Sequence, residues 1–303
     1  MRDRRYTSRS REQAIAWQEL LREELLRRLH LEDLLEGSRP NPLCSEVSYT
    51  KERKTYVLQE MEIRSTPGRR MKIVLTLPLH TMEKVPAVVC VHGHGGGRLA
   101  VYDPGSIYHG FAAELASKGV VTISADVGQH EVYESGRTLM GERLWDLMRC
   151  IDLVAGLKEV DASRIGCCGL SLGGEMTMWL GAMDLRVAAT ASSGFLTTMD
   201  QMEHNHCMCW KFPGLRELVD YADIYALIAP RPLLCQNGLQ EPHDGFYVPL
   251  ARKAMEEVRI IYEDFGRRDR ALLDIHPGAH EIHVPTVLDF FERFLGPLHA
   301  PSR

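Results

Sequence analysis

Residues 169–174 read Gly-Leu-Ser-Leu-Gly-Gly. They follow the apolar run Arg164-Ile165-Gly166-Cys167-Cys168 and open the helix-compatible run Glu175 to Leu180. No other feature restricts the fold of this chain so tightly. A serine between glycines, on a sharp turn from strand to helix, lifts a hydroxyl out of a sheet and into a cleft. The glycines are required because a Cβ there would strike the neighbouring strand and helix. Alone, Gly-x-Ser-x-Gly recurs by chance, so its meaning depends on the elements around it and on partners elsewhere.

Those elements are legible from pattern. An amphipathic helix is predicted over 10–36: Ser10-Arg-Glu-Gln13 has the form of a capping box, and Trp17, Leu21, Leu25 and Leu29 recur at every fourth residue. Gly37 fits its stop, Pro40 and Pro42 prevent continuation, and residues 38–50 read as a linker. Strand-like runs follow at Tyr56–Ile63, Lys72–Leu77 and Ala87–Val91, with Thr66-Pro67-Gly68 as a hairpin turn between the first two. From there helices and short apolar strands alternate: helix 106–117, strand 120–125, helix 139–157, strand 165–168, the elbow helix, strand 187–191, helix 217–226, strand 232–236, helix 248–258, strand 271–275 and helix 285–295. Continuous apolar strands alternating with helices imply an α/β fold: a mostly parallel sheet of about eight strands, covered by helices on both faces, with antiparallel strands at its N-terminal edge. Residues 1–39 read as a helical extension, 40–303 as the catalytic domain, and 194–216 as a long loop over the cleft.

With 303 residues, 45% hydrophobic and 25% charged, the chain is ordinary for a globular protein. A formal net charge of −5 gives no reason to expect nucleic acid or an anionic membrane surface as partner. Met1-Arg2-Asp3-Arg4-Arg5 is basic but no apolar segment follows, so neither a signal peptide nor a membrane span is expected. Of eight cysteines, Cys90, Cys167, Cys168 and Cys235 fall in predicted buried strands, where a thiol behaves as a small hydrophobe. Reduced thiols in a cytoplasmic protein are the expectation. The N-terminal helix could pack on its own domain or on a second copy in a homo-oligomer.

A serine hydroxyl cannot attack a carbonyl unaided; it needs a base within hydrogen-bond reach and a carboxylate to orient that base. In an open parallel sheet these groups come from loops at the carboxyl ends of strands. The base is read as His280, in His276-Pro-Gly-Ala-His280-Glu, just after the last strand. His276 ends the strand too early, and His283 falls in the first turn of the last helix. The acid is read as Glu241, three residues beyond the turn glycine Gly238, with Asp244 as the alternative. The oxyanion hole needs two backbone N–H donors. Leu172 supplies one; the glycine-rich loop His92-Gly93-His94-Gly95-Gly96-Gly97 supplies the other, with His94 favoured and Gly95 next. That loop lacks the Gly-Lys-Ser/Thr of a phosphate cradle. Asp126-Val-Gly-Gln-His-Glu131 is read as a structural turn. His204-Asn-His206-Cys207-Met-Cys209 gathers zinc-ligand types, but four in six residues strain a tetrahedron and no matching second cluster is apparent. No metal or cofactor is expected, and this loop is read as a pocket wall.

Taken together, Val91-His-Gly-His-Gly-Gly96, Gly169 to Gly174, Ile228-Ala-Pro-Arg-Pro-Leu233 and Gly278-Ala-His-Glu281 resemble the α/β-hydrolase superfamily, in the branch near dienelactone hydrolases and acetyl-xylan-esterase-like proteins, over residues 40–297. The stretch from Cys207 to Gly214 is similar to a loop in members of that branch. The family pattern has aspartate where this chain has Glu241. The resemblance implies hydrolysis of a small-molecule ester through a covalent acyl-enzyme; a serine peptidase or thioesterase on the same fold, or an inactive binding protein, are the rival readings.

Overall fold

The structure, a computed structural model, describes residues 2–37, 46–81 and 83–298. The boundary expected at 39/40, most of the expected linker and Cys44 lie outside the described residues. Among those described, nine strands form one sheet in the order β1-β2-β3-β5-β4-β6-β7-β8-β9. They are β1 (Glu46–Glu52), β2 (Tyr56–Arg64), β3 (Arg70–Pro78), β4 (Val85–Val91), β5 (Val121–Ala125), β6 (Val160–Leu170), β7 (Val187–Ser193), β8 (Leu233–Gly238) and β9 (Ala271–His276). Pairing is antiparallel through β1, β2, β3 and β5, and parallel from β5 through β4, β6, β7 and β8 to β9. Strand β1 corrects the expected linker: its residues carry no buried face, so nothing apolar marked them as a strand.

The helices are α1 (Arg11–Leu29), α2 (Glu32–Glu36), α3 (Phe111–Ser117), α4 (Leu139–Ala155), α5 (Leu172–Met183), α6 (Met199–Met202), α7 (Leu215–Leu218), α8 (Tyr221–Ala226), α9 (Val248–Asp264) and α10 (Val284–Leu295). The two-residue period of the strands divides the core. Ala87, Val89, Val91 and Cys167 point to the face covered by α1, α4, α5, α8 and α9, whereas Val88, Cys90 and Cys168 point to α3 and α10. Ser10 caps α1 through Gln13 N–H, while the Gln13 side chain turns to Ser8 and Arg9, so only half of the expected capping box forms. His30, in the left-handed region at φ 57°, ends α1 earlier than expected and starts the separate α2. The helix expected over 217–226 is likewise two pieces, because Asp220 and Asp223 form a true capping box that starts α8 afresh.

The topology fixes where a ligand can bind. The chain leaves β4 for β5 on one side and returns to β6 on the other, so the loops after β4 and β6 part at their carboxyl ends and open a crevice there. No helix among the described residues is long and apolar enough to cross a membrane.

Helix α1 is tied into this core. Gln18 Nε2 donates to the carbonyls of Ala226 (3.0 Å) and Ala229 (2.8 Å), and Leu21, Leu25 and Leu29 are wholly buried. Leu25→Ala is therefore expected to cost about 2–5 kcal/mol, read as a lowered urea midpoint at unchanged slope. A loss below about 1 kcal/mol would show that α1 contributes little to the cooperative core.

Candidate active site

Ser171 sits between β6 and α5 with φ 62° and ψ −125°, a conformation that costs a residue with a Cβ of order 1–3 kcal/mol. Its surroundings enforce it. A Cβ on Gly173 would fall on the Val91 carbonyl oxygen; one on Gly169 would lie 2.7 Å from the same oxygen, and one on Gly174 2.5 Å from Ser193 O. Helix α5 thus runs hard against the ends of β4 and β7, and Ser171 N–H donates to Ser193 O at 3.0 Å.

The loops after β8 and β9 are joined by backbone. Leu239 N–H donates to His276 O (2.9 Å) and Gln240 N–H to Gly278 O (3.0 Å). A Cβ on Gly238 would fall on the carbonyl oxygens of Gly278 and Ala279, so only glycine permits the approach. The result is Glu241 Oε1 at 2.7 Å from His280 Nδ1, with the carboxylate side chain 3% exposed. A carboxylate only accepts, so Nδ1 is the donor of this pair and Nε2 is the nitrogen left free of Glu241. The ring stacks on Phe246 (5.2 Å between centroids, 11° between planes), and Phe246 is anchored by Asn237 Nδ2 at 3.0 Å from its carbonyl. The Nδ1–Cε1 edge of the ring lies over Gly194, where a Cβ would sit 2.8 Å from Cε1; Gly194 follows the Ser193 that holds Ser171. Serine and imidazole therefore meet the same end of β7.

The remaining histidines and acids of the sequence reading are engaged elsewhere. Asp244 accepts from Asn205 Nδ2 (3.4 Å). His276 stacks on His283, and His283 Nδ1 lies 3.0 Å from Asp274 Oδ2. Asp126 holds the Arg98 N–H (2.7 Å) and guanidinium (2.8 Å), and Val127 N–H donates to the Nε2 of buried His92 (3.1 Å), so this turn braces the glycine-rich loop.

The glycine-rich loop is held from below by a residue not picked out from sequence. Tyr108 Oη accepts from Gly93 N–H at 2.6 Å. His94 and Leu172 line, with Ser171, a cavity of about 40 Å³ whose wall also includes Glu175, Cys209 and Phe246. Its volume suits a water or an acetyl-sized group, far below the ~300 Å³ of a drug-sized site. Another cavity, of about 460 Å³, lies between the β2–β3 turn and the 126–134 loop, and Ser171 does not line it.

At the small cavity are two buried ionisable groups that the sequence did not announce, one on α5 and one on α4. Glu175 on α5 is buried, and its Oε1 has no hydrogen-bond partner. Burial pushes its pKa up to about 8, against the pull of Arg143 on α4. Arg143, also buried, donates to Gln129 O and lies 3.4 Å from Cys209 Sγ. His94, although open to solvent on one side, has a pKa lowered to about 4 by lost hydration on the other and by the charge of Arg143.

No family model matches the chain. A Bacillus subtilis (strain 168) protein described as "Putative hydrolase YtaP" is 25% identical over 264 residues, covering 75% of this chain and 84% of that protein. Among solved structures, the "putative acetyl xylan esterase" of Bacteroides fragilis superposes with a TM-score of 0.74 at 19% identity, covering 91% of this chain and 78% of that one. Methylesterase BT1017 superposes with a TM-score of 0.76 at 21% identity, over 94% of this chain and 65% of its own length. The fold is that of the α/β-hydrolases.

The buried Glu175 sets a pH dependence. Below about pH 4.5 it is protonated in the folded and the unfolded chain alike. Between about 4.5 and 8 the unfolded chain releases the proton while the folded chain keeps it, so folding weakens as pH rises; above 8 the penalty is constant. Glu175→Gln, neutral throughout, is expected to gain stability over wild type progressively across that interval in denaturant titrations at several pH values. A difference that stays flat would mean that the carboxyl titrates in its ordinary range.

Proposed function

We propose that this chain is a serine carboxylic ester hydrolase. The observation behind this reading is the pairing of a serine on a strained, glycine-hemmed elbow with an imidazole whose Nδ1 is engaged by a buried glutamate, 2.7 Å away. Ser171 is the nucleophile, His280 the base and Glu241 the orienting acid.

In this mechanism His280 Nε2 takes the Ser171 proton as Oγ attacks the ester carbonyl. Glu241 holds the Nδ1–H tautomer and stabilises the imidazolium that forms. The main-chain N–H groups of His94 and Leu172 receive the oxyanion. The imidazolium then protonates the leaving alcohol, and His280 activates a water that releases the acid. No cofactor takes part in these steps. Glutamate in place of aspartate suits the backbone here, because Glu241 reaches its partner from a turn that starts at Gly238.

The 40 Å³ cavity beside Ser171 suits a short acyl group, with the alcohol left outside the cavity. An acetyl ester fits that limit, and two of the structural neighbours are described as esterases. The helices α1 and α2 suit the expected division into an extension over 1–39 and a catalytic domain over 40–303, whose boundary lies outside the described residues, with residues 194–216 as the cover of the cleft. Seven described thiols are free, which suits a reducing compartment such as the cytoplasm.

The test is hydrolysis of p-nitrophenyl esters from acetate to octanoate, with fluorophosphonate labelling of the active serine. Acetate should be preferred. Ser171→Ala is expected to lower kcat by about 10⁶-fold and to abolish labelling, and Glu241→Gln to lower kcat by about 10⁴-fold. Asp244→Asn should stay near wild type. Unchanged turnover in Ser171→Ala would sink the mechanism. A large loss confined to Asp244→Asn would transfer the acid's role to that residue.

A further inference from the structure

Three loops converge beside the cavity and bring together a set of side chains that Ser171 chemistry does not use. His94 comes from the loop after β4, His130 from the loop after β5, and Cys207 and Cys209 from the loop after β7. One nitrogen or sulfur of each lies within 4.8 Å of all the others. His94 Nε2 is 3.1 Å from Cys209 Sγ, and the two imidazoles stack with centroids 5.2 Å apart and planes 28° apart. We propose that His94, His130, Cys207 and Cys209 form a structural zinc site that pins the loop covering the cavity to the two loops beside it.

The chemistry of the set points to this ion. Two thiols and two imidazoles gain little from one another, since a thiol is a weak donor and a weak acceptor. A borderline-soft divalent cation gives all four lone pairs a common partner, and a tetrahedral S₂N₂ set is one that zinc favours. Zinc–nitrogen bonds of about 2.0–2.1 Å and zinc–sulfur bonds of about 2.3 Å define a tetrahedron with edges of about 3.3–3.8 Å. Separations of at most 4.8 Å therefore lie within about 1–1.5 Å of those edges. Two separated histidine loops answer the objection that the cysteine loop raises by itself, since only Cys207 and Cys209 are drawn from it, while His204 and His206 are left out.

Charge and support agree. Two thiolates neutralise the ion, and Arg143 Nη1, 3.4 Å from Cys209 Sγ, stands where it can donate to a metal-bound thiolate. The same guanidinium donates to Gln129 O, the residue before His130, and so holds two of the ligand loops at once. His94, His130 and Cys207 are solvent-exposed, which gives the ion a path of entry. Four protein ligands leave no open position, so the ion does not activate water; it acts on shape. Through His94 it would fix the glycine-rich loop, and through Cys209 one wall of the cavity. Binding itself does not depend on the esterase reading.

The experiment is metal analysis of the full chain, purified under reducing conditions after growth with zinc. About one zinc per chain is expected. Chelation followed by cobalt(II) should produce the near-ultraviolet thiolate-to-cobalt band and the visible bands of a tetrahedral ion. His130→Ala and Cys209→Ser should each weaken zinc at least about 100-fold, whereas His204→Ala should keep it. Ser171→Ala should also keep its zinc, so a failure of the hydrolase mechanism leaves this result readable. Reduced wild-type chain that neither carries zinc nor takes it from a chromophoric chelator would overturn the proposal, with no variant needed. So would zinc that persists undiminished in both ligand variants.

Discussion

The contact between Gly173 and the end of β4 governs much of this molecule. With no Cβ at Gly173 or Gly169, helix α5 can start directly against the Val91 carbonyl, and the chain must turn at Ser171 through a backbone conformation that serine ordinarily avoids. That strain is sustained by what surrounds it: α5 is buried along its whole length, and β6 pairs with β4 and β7 over most of its apolar residues. The same contact sets β4 and β6 side by side, so the glycine-rich loop and the elbow face each other across the crevice. Ser171 and the small cavity that it lines with His94 and Leu172 lie beside this close approach.

The second half of the site depends on a different device. Hydrogen bonds between the β8 and β9 loops continue the sheet past its last residues, and Gly238 is the point at which one backbone lies on the other. This brings a histidine and a carboxylate that are 39 residues apart to a 2.7 Å contact. It also separates Glu241 from Asp244: a turn of three residues beyond Gly238 faces the imidazole, whereas three further residues carry Asp244 outward to Asn205.

How much of this could be read from sequence depended on how local each signal was. Glycine spacing at 169–174 and 92–97 identified both central loops because a missing Cβ is a local requirement. The alternation of strands and helices was legible because burial on both sheet faces leaves continuous apolar runs. Strand β1 was not, since all its side chains are exposed and it exists through pairing with β2 alone. Glu175 and Arg143 were overlooked because an ionisable residue on a helix reads as part of its polar face until the fold buries it. The grouping of His94 and His130 with Cys207 and Cys209 was beyond reach for a further reason. It joins residues up to 115 positions apart, and only the convergence of three loops at the topological switch makes them neighbours.

These features bear on one another at the cavity. On the proposed reading, a space of about 40 Å³ is too small for a whole ester with its alcohol, which would place the acyl group inside and the scissile bond at its mouth. The mouth is bordered by the glycine-rich loop and by the segment that carries Cys207, Cys209 and Trp210. His94 and this segment touch directly, since His94 Nε2 lies 3.1 Å from Cys209 Sγ. If His94 serves as the proposed oxyanion donor, enlarging the pocket would disturb a loop that also carries that donor. On the same reading, the leaving alcohol would lie outside the small cavity and so escape that limit. The proposed hydrolase would therefore select on the acyl side, because the residues that flank Ser171 are the ones that line the cavity.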